Sequence, residues 1–143
     1  MSMKTVCVVL MLGATIPAVA EDSRQRVEMP SQMREHMLGN MRDHLLALET
    51  ITRQLANQQY DEAAEVAEVR LGMTSMQSHG ASHIAQFMPK GMSAIGTEMH
   101  HAASRFSIAA QNAAVDDGLG KAFAALSEVM QQCVACHSGY RVH

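Results

Sequence analysis

The chain has 143 residues, a formal charge of −3 at neutral pH, and 48% hydrophobic residues, of which very few are aromatic. This composition argues against a nucleic-acid-binding module, because it offers neither a basic patch nor an aromatic surface on which bases could stack. The length suits a single domain with one buried core.

The first 20 residues have the organisation of a signal peptide. Lys4 gives a positive start, Val6 to Ile16 is apolar, and Ala18-Val19-Ala20 resembles a cleavage site. The apolar run is too short to span a membrane, which takes about 20 residues. We therefore expect residues 1–20, including Cys7, to be removed, leaving an exported, periplasmic domain of residues 21–143 without a membrane span.

A first helix is predicted from Pro30-Ser31, with Ser31 as its N-cap. Its expected buried stripe has alternating steps of three and four: Leu38, Met41, Leu45, Leu48, Thr52 and Leu55. Asp61 is expected to cap a second helix, which runs from about Glu62 to Met76. Two alternative stripes could form the buried face of that helix. One is Ala64, Ala67, Leu71 and Thr74, and the other is Val66, Val69, Met73 and Met76.

Residues 77–91 form the longest break and are predicted to cross between two helical hairpins, with a short helical turn around Ala81 to Met88. A third helix is predicted from Met92 to Ala114. Its expected buried stripe is Met92, Ile95, Met99, Ala102, Phe106, Ala109 and Ala113. The turn at residues 115–118 follows, with Asp117 as a cap for the last helix. The apolar stripe of that helix is expected to be Leu119, Phe123, Leu126, Met130, Cys133, His137 and Tyr140.

These patterns predict an all-α fold, an antiparallel four-helix bundle, because the helices are amphipathic and no strand alternation is visible. The last helix ends in Cys133-Val134-Ala135-Cys136-His137, which is the attachment signature of a c-type haem. Two thiols at this spacing add to the two vinyl groups of one porphyrin, and the adjacent His137 supplies the proximal iron ligand. The sequence thus predicts one haem c, held covalently through two thioethers.

Cys-x-x-Cys also occurs in thioredoxin-like redox sites, but there it lies in a βαβ context. A zinc site needs a second pair of ligands at compact spacing, and the sequence offers none. An exported dithiol oxidoreductase that uses Cys133 and Cys136 nevertheless stays open as a function of a different class. A histidine-rich metal-binding helical module is the third reading.

The motif, the Tyr140-Arg141 pair behind it, and Arg34 to Met41 in the first helix together resemble the cytochrome c′ family, which includes low-spin members. The resemblance implies an exported four-helix bundle that is an electron carrier or gas-binding haem protein and not an enzyme. It also implies that Arg141 lies beside the proximal face of the haem and that Arg34 contacts a propionate. A homodimer formed through the first helices would be typical, and the redox partner protein is not indicated.

The distal side of the iron is the open question. By the family's register Leu38 is the distal residue, four positions after Arg34, which implies an open site that binds NO or CO. Low-spin relatives carry a methionine there, and Met37 or Met41 would give a six-coordinate His/Met electron carrier after a modest rotation of the helix. His44 is a further alternative for this position.

Other residues have side chains that could carry chemistry. His79 and His83 have i,i+4 spacing, but Gly80 and Ser82 disfavour a regular helix there. His100 and His101 are consecutive, so they point about 100° apart and cannot bind one ion together. Arg105 is expected to be either a surface charge or a neighbour of the haem edge. Glu62, Glu65 and Glu68 form a solvated acidic run.

Overall fold

The computed structural model describes residues 21–116 and 118–142, and in this part of the chain the fold is all-α with one short two-stranded ribbon. The predicted signal peptide and the predicted cap Asp117 lie outside the described residues. Helix α1 spans Ser31–Ala56, α2 spans Tyr60–Arg70, α3 spans Ala81–Ala85, α4 spans Lys90–Asp116 and α5 spans Leu119–Gly139. A 3-10 helix, Met73–Met76, lies between α2 and α3.

The helix ends differ in detail from the predicted caps. Pro30, not Ser31, occupies the N-cap position of α1, and no side chain caps that end. Gln59, not Asp61, precedes α2, while Asp61 lies in its first turn, where a negative charge suits the helix dipole. Between the two helices Gln58 adopts a left-handed conformation with φ of 60°, which reverses the chain.

The main core lies among α1, α2, α4 and α5, and each of these four helices packs against the next one in the list. The contact face of α2 is the alanine stripe, since Ala64, Ala67 and Leu71 are buried while Val69 and Met73 are exposed. Small side chains let α4 approach closely, and the Ser107 hydroxyl donates to the Ala64 carbonyl at 2.9 Å. Phe106 of α4 is fully buried at the centre of this core.

The predicted stripe of α4 is largely confirmed, whereas those of α1 and α5 are confirmed only in part. In α1 the inward positions are Met37, Met41, His44, Ala47, Leu48, Ile51 and Leu55, and the predicted Leu45 is 70% exposed. In α5 the inward positions are Leu119, Ala122, Leu126, Val129, Cys133, Cys136 and Tyr140. Phe123, Met130 and His137, which were expected inside, are exposed. In both helices some predicted positions are replaced in the core by a residue next to them in the sequence.

The ribbon was not predicted. Strand β1, Gln25–Val27, pairs in parallel with β2, Tyr140–Val142, so that Arg26 lies opposite Arg141. Because β1 leads into α1 and β2 follows α5, the ribbon holds the start of α1 beside the end of α5. This juxtaposition defines one end of the molecule.

Candidate functional site

A second, smaller apolar cluster fills the end of the molecule that the ribbon closes. Its buried members come from β1, α1, α3 and α4: Val27, Met37, Ile84 and Met92. Cys136 and Tyr140 pack against it from α5 and β2. The start of α4 also comes close, because a Cβ added at Gly91 would lie 2.6 Å from the Tyr140 hydroxyl oxygen. Cys136 therefore lies against a methionine-rich apolar surface, whereas Cys133 packs against the main core.

Cys133 and Cys136 occupy successive inward positions of the last turns of α5. Both are half-buried free thiols, and the Cys133 thiol donates to the Val129 carbonyl at 3.6 Å. Burial raises the pKa of both thiols, and the charge of Cys133 adds to the rise at Cys136. The negative end of the helix dipole also disfavours a thiolate at this position. The two sulfurs share one face of the helix without forming a disulfide.

His137 lies next to these cysteines but turns away from the buried face, and its side chain is exposed. Its backbone carbonyl accepts a hydrogen bond from Arg24 at 3.4 Å, which ties the last turn of α5 to the segment before β1. The expectation that His137 continues the buried stripe is therefore wrong. The imidazole lies at the edge of the site, where it can contact a group bound outside the packed core.

Arg141 is the most constrained cation at this end. Its Nε lies 3.4 Å from a carboxylate oxygen of Asp22, but the alignment is poor, and this buried nitrogen has no hydrogen-bond acceptor among the described residues. Asp22 is held mainly by Arg24, whose hydrogen bonds keep the pKa of that carboxyl far below its usual value. A buried cationic donor without an acceptor is costly, so Arg141 can accept an anionic partner.

Arg34 lies on the first turn of α1 at the same end. Its guanidinium is half-buried, and its nearest carboxylate within the described chain, that of Glu35, is 3.9 Å away. Such a distant, partly exposed pair contributes little. Arg34 is thus also free to contact an anion near the motif.

The candidate distal residues divide into two groups. Met37 is 6% exposed and belongs to the same cluster as Cys136, whereas Leu38 is only half-buried. The expectation that Leu38 lies on the buried stripe is therefore wrong, and Met37 lies there instead. Met41 and His44 follow on the inward face of α1 and line a cavity that Met37 also borders.

The chemistry of this donor set fits a haem bound at the surface of the end cluster. Two thiols on one face would anchor the porphyrin, the exposed His137 is available as an iron ligand, and the methionine cluster offers an apolar wall. Arg141 and Arg34 supply two cations for the propionates. Each of these residue types thus matches one part of the haem.

The cavity itself was not predicted. It measures about 300 Å³, and its lining comes from α1, the 3-10 helix, α3 and α4. Five methionines line it: Met37, Met41, Met76, Met88 and Met99. Its polar part is a group of three histidines, His44, His79 and His100, which we term the histidine cluster.

The rings of the histidine cluster lie in contact. Their centroids are 4.8 Å apart for His44 and His79, 5.6 Å for His79 and His100, and 6.2 Å for His44 and His100. The Nε2 atom of His44 lies 3.4 Å from Nδ1 of His79. Three histidines that are far apart in sequence thus meet beside one cavity.

A backbone carbonyl orients one of these rings. His100 Nδ1 donates to the Leu71 carbonyl oxygen at 2.7 Å. The Ser75 hydroxyl donates to the Gly72 carbonyl, and its oxygen lies 3.3 Å from His100 Nδ1 and 3.4 Å from His79 Nδ1. The carbonyl of His79 is fixed by the side chains of His36 and Asn40 at 2.9 and 3.0 Å.

The histidine cluster favours neutral rings. Burial, and then the proximity of His79 and His100, lower the pKa of His44 to about 4. The pKa of His79 is also lowered, mainly by burial and then by His100. Next to them Arg70 pairs with Asp43 and holds the pKa of that carboxyl down. The imidazoles of His44 and His79 are therefore uncharged at neutral pH.

The remaining sequence candidates lie apart from these sites. His83 and His101 are exposed, so the expectation that His100 and His101 face different surroundings is confirmed. His79 precedes α3 and does not share a helix with His83. Arg105 is a surface charge, since it pairs with Glu98 at 2.8 Å and Glu128 at 3.4 Å.

Comparison of the chain with protein-family models, with curated proteins and with solved structures finds no match. Among the described residues, no helix is long and apolar enough to cross a membrane.

Proposed function

We propose that this chain is an exported, periplasmic c-type haem protein that transfers single electrons. Cys133 and Cys136 would hold the haem through two thioethers, and His137 would be the proximal iron ligand. The helical domain would then be a four-helix bundle of α1, α2, α4 and α5 related to the cytochrome c′ family. When bound, the haem supplies the Fe(II)/Fe(III) couple.

The observation that carries this proposal is the state of the two thiols. They are free, half-buried, on one face of α5, and their pKa values are raised. A dithiol oxidoreductase needs the reverse, a lowered thiol pKa, as is typical of a cysteine at the start of a helix. The position at the end of α5 thus favours thioether anchors over a redox pair.

The protein's own residues would set the properties of the iron. Burial of Met37 beside Cys136 favours Met37 over Leu38 as the distal group, and His/Met ligation raises the reduction potential. Arg141 and Arg34 would bind the propionates and fix the plane of the ring. The exposed His137 side would leave one haem edge near the surface, where a partner protein can exchange an electron.

An open distal site above Leu38, able to bind NO or CO, is the second candidate. It is favoured by the half-buried position of Leu38, one residue further along the same helix. A hydrocarbon side chain cannot ligate iron, so the two candidates differ in spin state and in reactivity toward CO.

The test is a pyridine haemochrome spectrum of the mature chain, residues 21–143, produced in the periplasm of a host with haem-attachment machinery. We expect the spectrum of a haem with two thioether links, and loss of the covalent haem in the double variant Cys133→Ser/Cys136→Ser. The control variant His83→Gln, which changes an exposed residue and keeps both cysteines, should behave as the parent protein. A folded, colourless parent protein would overturn the proposal.

A further inference from the structure

The histidine cluster is not used by the proposed haem site, although Met37 borders the same cavity, and it forms the strongest unassigned group among the described residues. We propose that His44 and His79, together with a methionine thioether of the same cavity, form a binding site for monovalent copper. This inference does not rest on the haem proposal, because Cys133, Cys136 and His137 do not line the cavity.

The two imidazoles provide nitrogen donors at a suitable separation. His44 Nε2 and His79 Nδ1 are 3.4 Å apart. Two nitrogens that each lie about 2.0–2.1 Å from one metal ion, at a near-tetrahedral angle, are separated by roughly this distance. An ion placed between them would replace a long and weak contact between two rings with two coordinate bonds.

The surroundings fix the position of both residues. The backbone carbonyl of His79 accepts hydrogen bonds from the side chains of His36 and Asn40 at 2.9 and 3.0 Å. His44 lies on a rigid turn of α1, beside the Asp43–Arg70 ion pair. Burial keeps both imidazoles neutral, which metal binding requires.

The other donors identify the metal. No three His, Cys, Asp or Glu side chains in the described part of the chain are grouped to hold a metal ion. Beside the imidazoles, the soft donors that line the cavity are thioethers. Each proposed histidine has a methionine three residues before it, Met41 before His44 and Met76 before His79, and both line the cavity. Thioether with imidazole is a soft donor set that selects Cu(I), whereas Zn²⁺ is satisfied by nitrogen, thiolate and carboxylate.

The charge and polarity of the cavity agree with this choice. Its wall is mostly apolar, and among the described residues no carboxylate lines it. A hard divalent cation would lack the carboxylate ligands and the negative charge that it needs. A monovalent, weakly hydrated ion bound by neutral ligands is the type of guest that such a cavity stabilises.

The experiment is an anaerobic titration of the mature protein, as isolated, with Cu(I) in competition with a chromogenic Cu(I) chelator. Copper is counted by metal analysis and haem by its haemochrome, so that the two proposals are read separately. We expect one Cu(I) per chain whether or not haem is attached. His79→Gln and His44→Gln should each weaken Cu(I) binding by at least about tenfold, while the matched exposed control His83→Gln should leave it unchanged.

Thioether coordination is tested with the double variant Met41→Leu/Met76→Leu, which conserves volume, and with X-ray absorption at the copper edge. We expect one sulfur neighbour in the parent protein, and weaker Cu(I) binding with no sulfur signal in the variant. Far-UV circular dichroism checks folding, and if His44→Gln does not fold, the half-buried His79→Gln carries the test. Failure to bind Cu(I), equal affinity in the His79 variant, or Zn²⁺ binding in preference to Cu(I) would overturn the proposal.

Discussion

Two adjacent residues of α1, Met37 and Leu38, decide what kind of haem protein the chain would be. Met37 is buried against the cluster that contains Cys136, and Leu38 is turned partly outward. If Met37 is the distal ligand, Met37→Leu removes the sulfur–iron charge-transfer band and converts the iron to a high-spin, CO-reactive form. Leu38→Ala is the matched control and should keep that band.

Absorption spectra of the ferric protein and CO binding to the ferrous protein distinguish Met37 from Leu38 as the distal residue. A parent protein that is already high-spin and binds CO, with no change in Met37→Leu, would exclude Met37 and return the distal position to Leu38. Retention of a sulfur–iron band in Met37→Leu would instead point to Met41.

His44 makes stability depend on pH. Its pKa falls from an ordinary 6.5 to about 4 on folding, so the unfolded chain binds more protons between these two values. The stabilisation is therefore complete above about pH 6.5, is lost as the pH falls toward 4, and amounts to about 3 kcal/mol. His79 acts in the same direction, because its pKa is also lowered.

Urea unfolding of chelator-treated protein between pH 4 and 7.5 measures this effect. The variant His44→Gln should show a shallower loss of the free energy of unfolding on acidification than the exposed control His83→Gln. Equal pH dependence in the two variants would contradict the burial of a neutral imidazole at position 44.

Among the secondary-structure elements, the ribbon formed by β1 and β2 brings the candidate haem residues together. Val27 is 3% exposed and attaches β1 to the end cluster, beside Met37 and Met92. We expect Val27→Ala to cost about 2 kcal/mol of unfolding free energy and to lower the yield of covalent haem. Arg26→Ala, on the exposed neighbouring position, should change stability by less than about 0.5 kcal/mol.

Chemical denaturation and haem content per chain measure the two effects. A Val27→Ala protein with the stability and haem content of the parent would show that the ribbon does not support the site.

The sequence predicted the helices but not how they face one another. Helix type followed from apolar periodicity. In α1 and α5, however, some predicted positions are replaced in the core by a residue next to them in the sequence, and only packing chose Met37 over Leu38 and Cys136 over His137. The ribbon was missed because three-residue strands at opposite ends of the chain have no local alternation to detect. The histidine cluster was missed for a similar reason, since His44, His79 and His100 meet only through tertiary structure.

For the whole molecule, the two cores differ in size, and this difference predicts where the fold opens first. The main core among α1, α2, α4 and α5 buries Phe106, Ile51 and Leu55, whereas the end cluster buries only four side chains. Regions with few buried apolar contacts open locally at low free energy. Without covalent haem, we expect faster amide exchange at the start of α1 and the end of α5 than in α2 and the centre of α4.

Hydrogen exchange of the parent protein and of Cys133→Ser/Cys136→Ser measures this difference. Haem attachment should slow exchange around Met37 and Cys136 and leave the centre of α4 unchanged. Equal protection of the end cluster and the main core in the haem-free variant would contradict the division into a stable core and a less stable end.

The most direct test of the central claim is the mass of the carboxyl-terminal peptide that contains Cys133 and Cys136, isolated from periplasmic protein after full denaturation. Addition of two thiols to two vinyl groups retains every atom of both partners. The account therefore predicts a peptide heavier by the mass of one intact haem, and no such increase in Cys133→Ser/Cys136→Ser. A peptide from the folded parent protein that carries two free thiols or a disulfide, with no added haem, would contradict it.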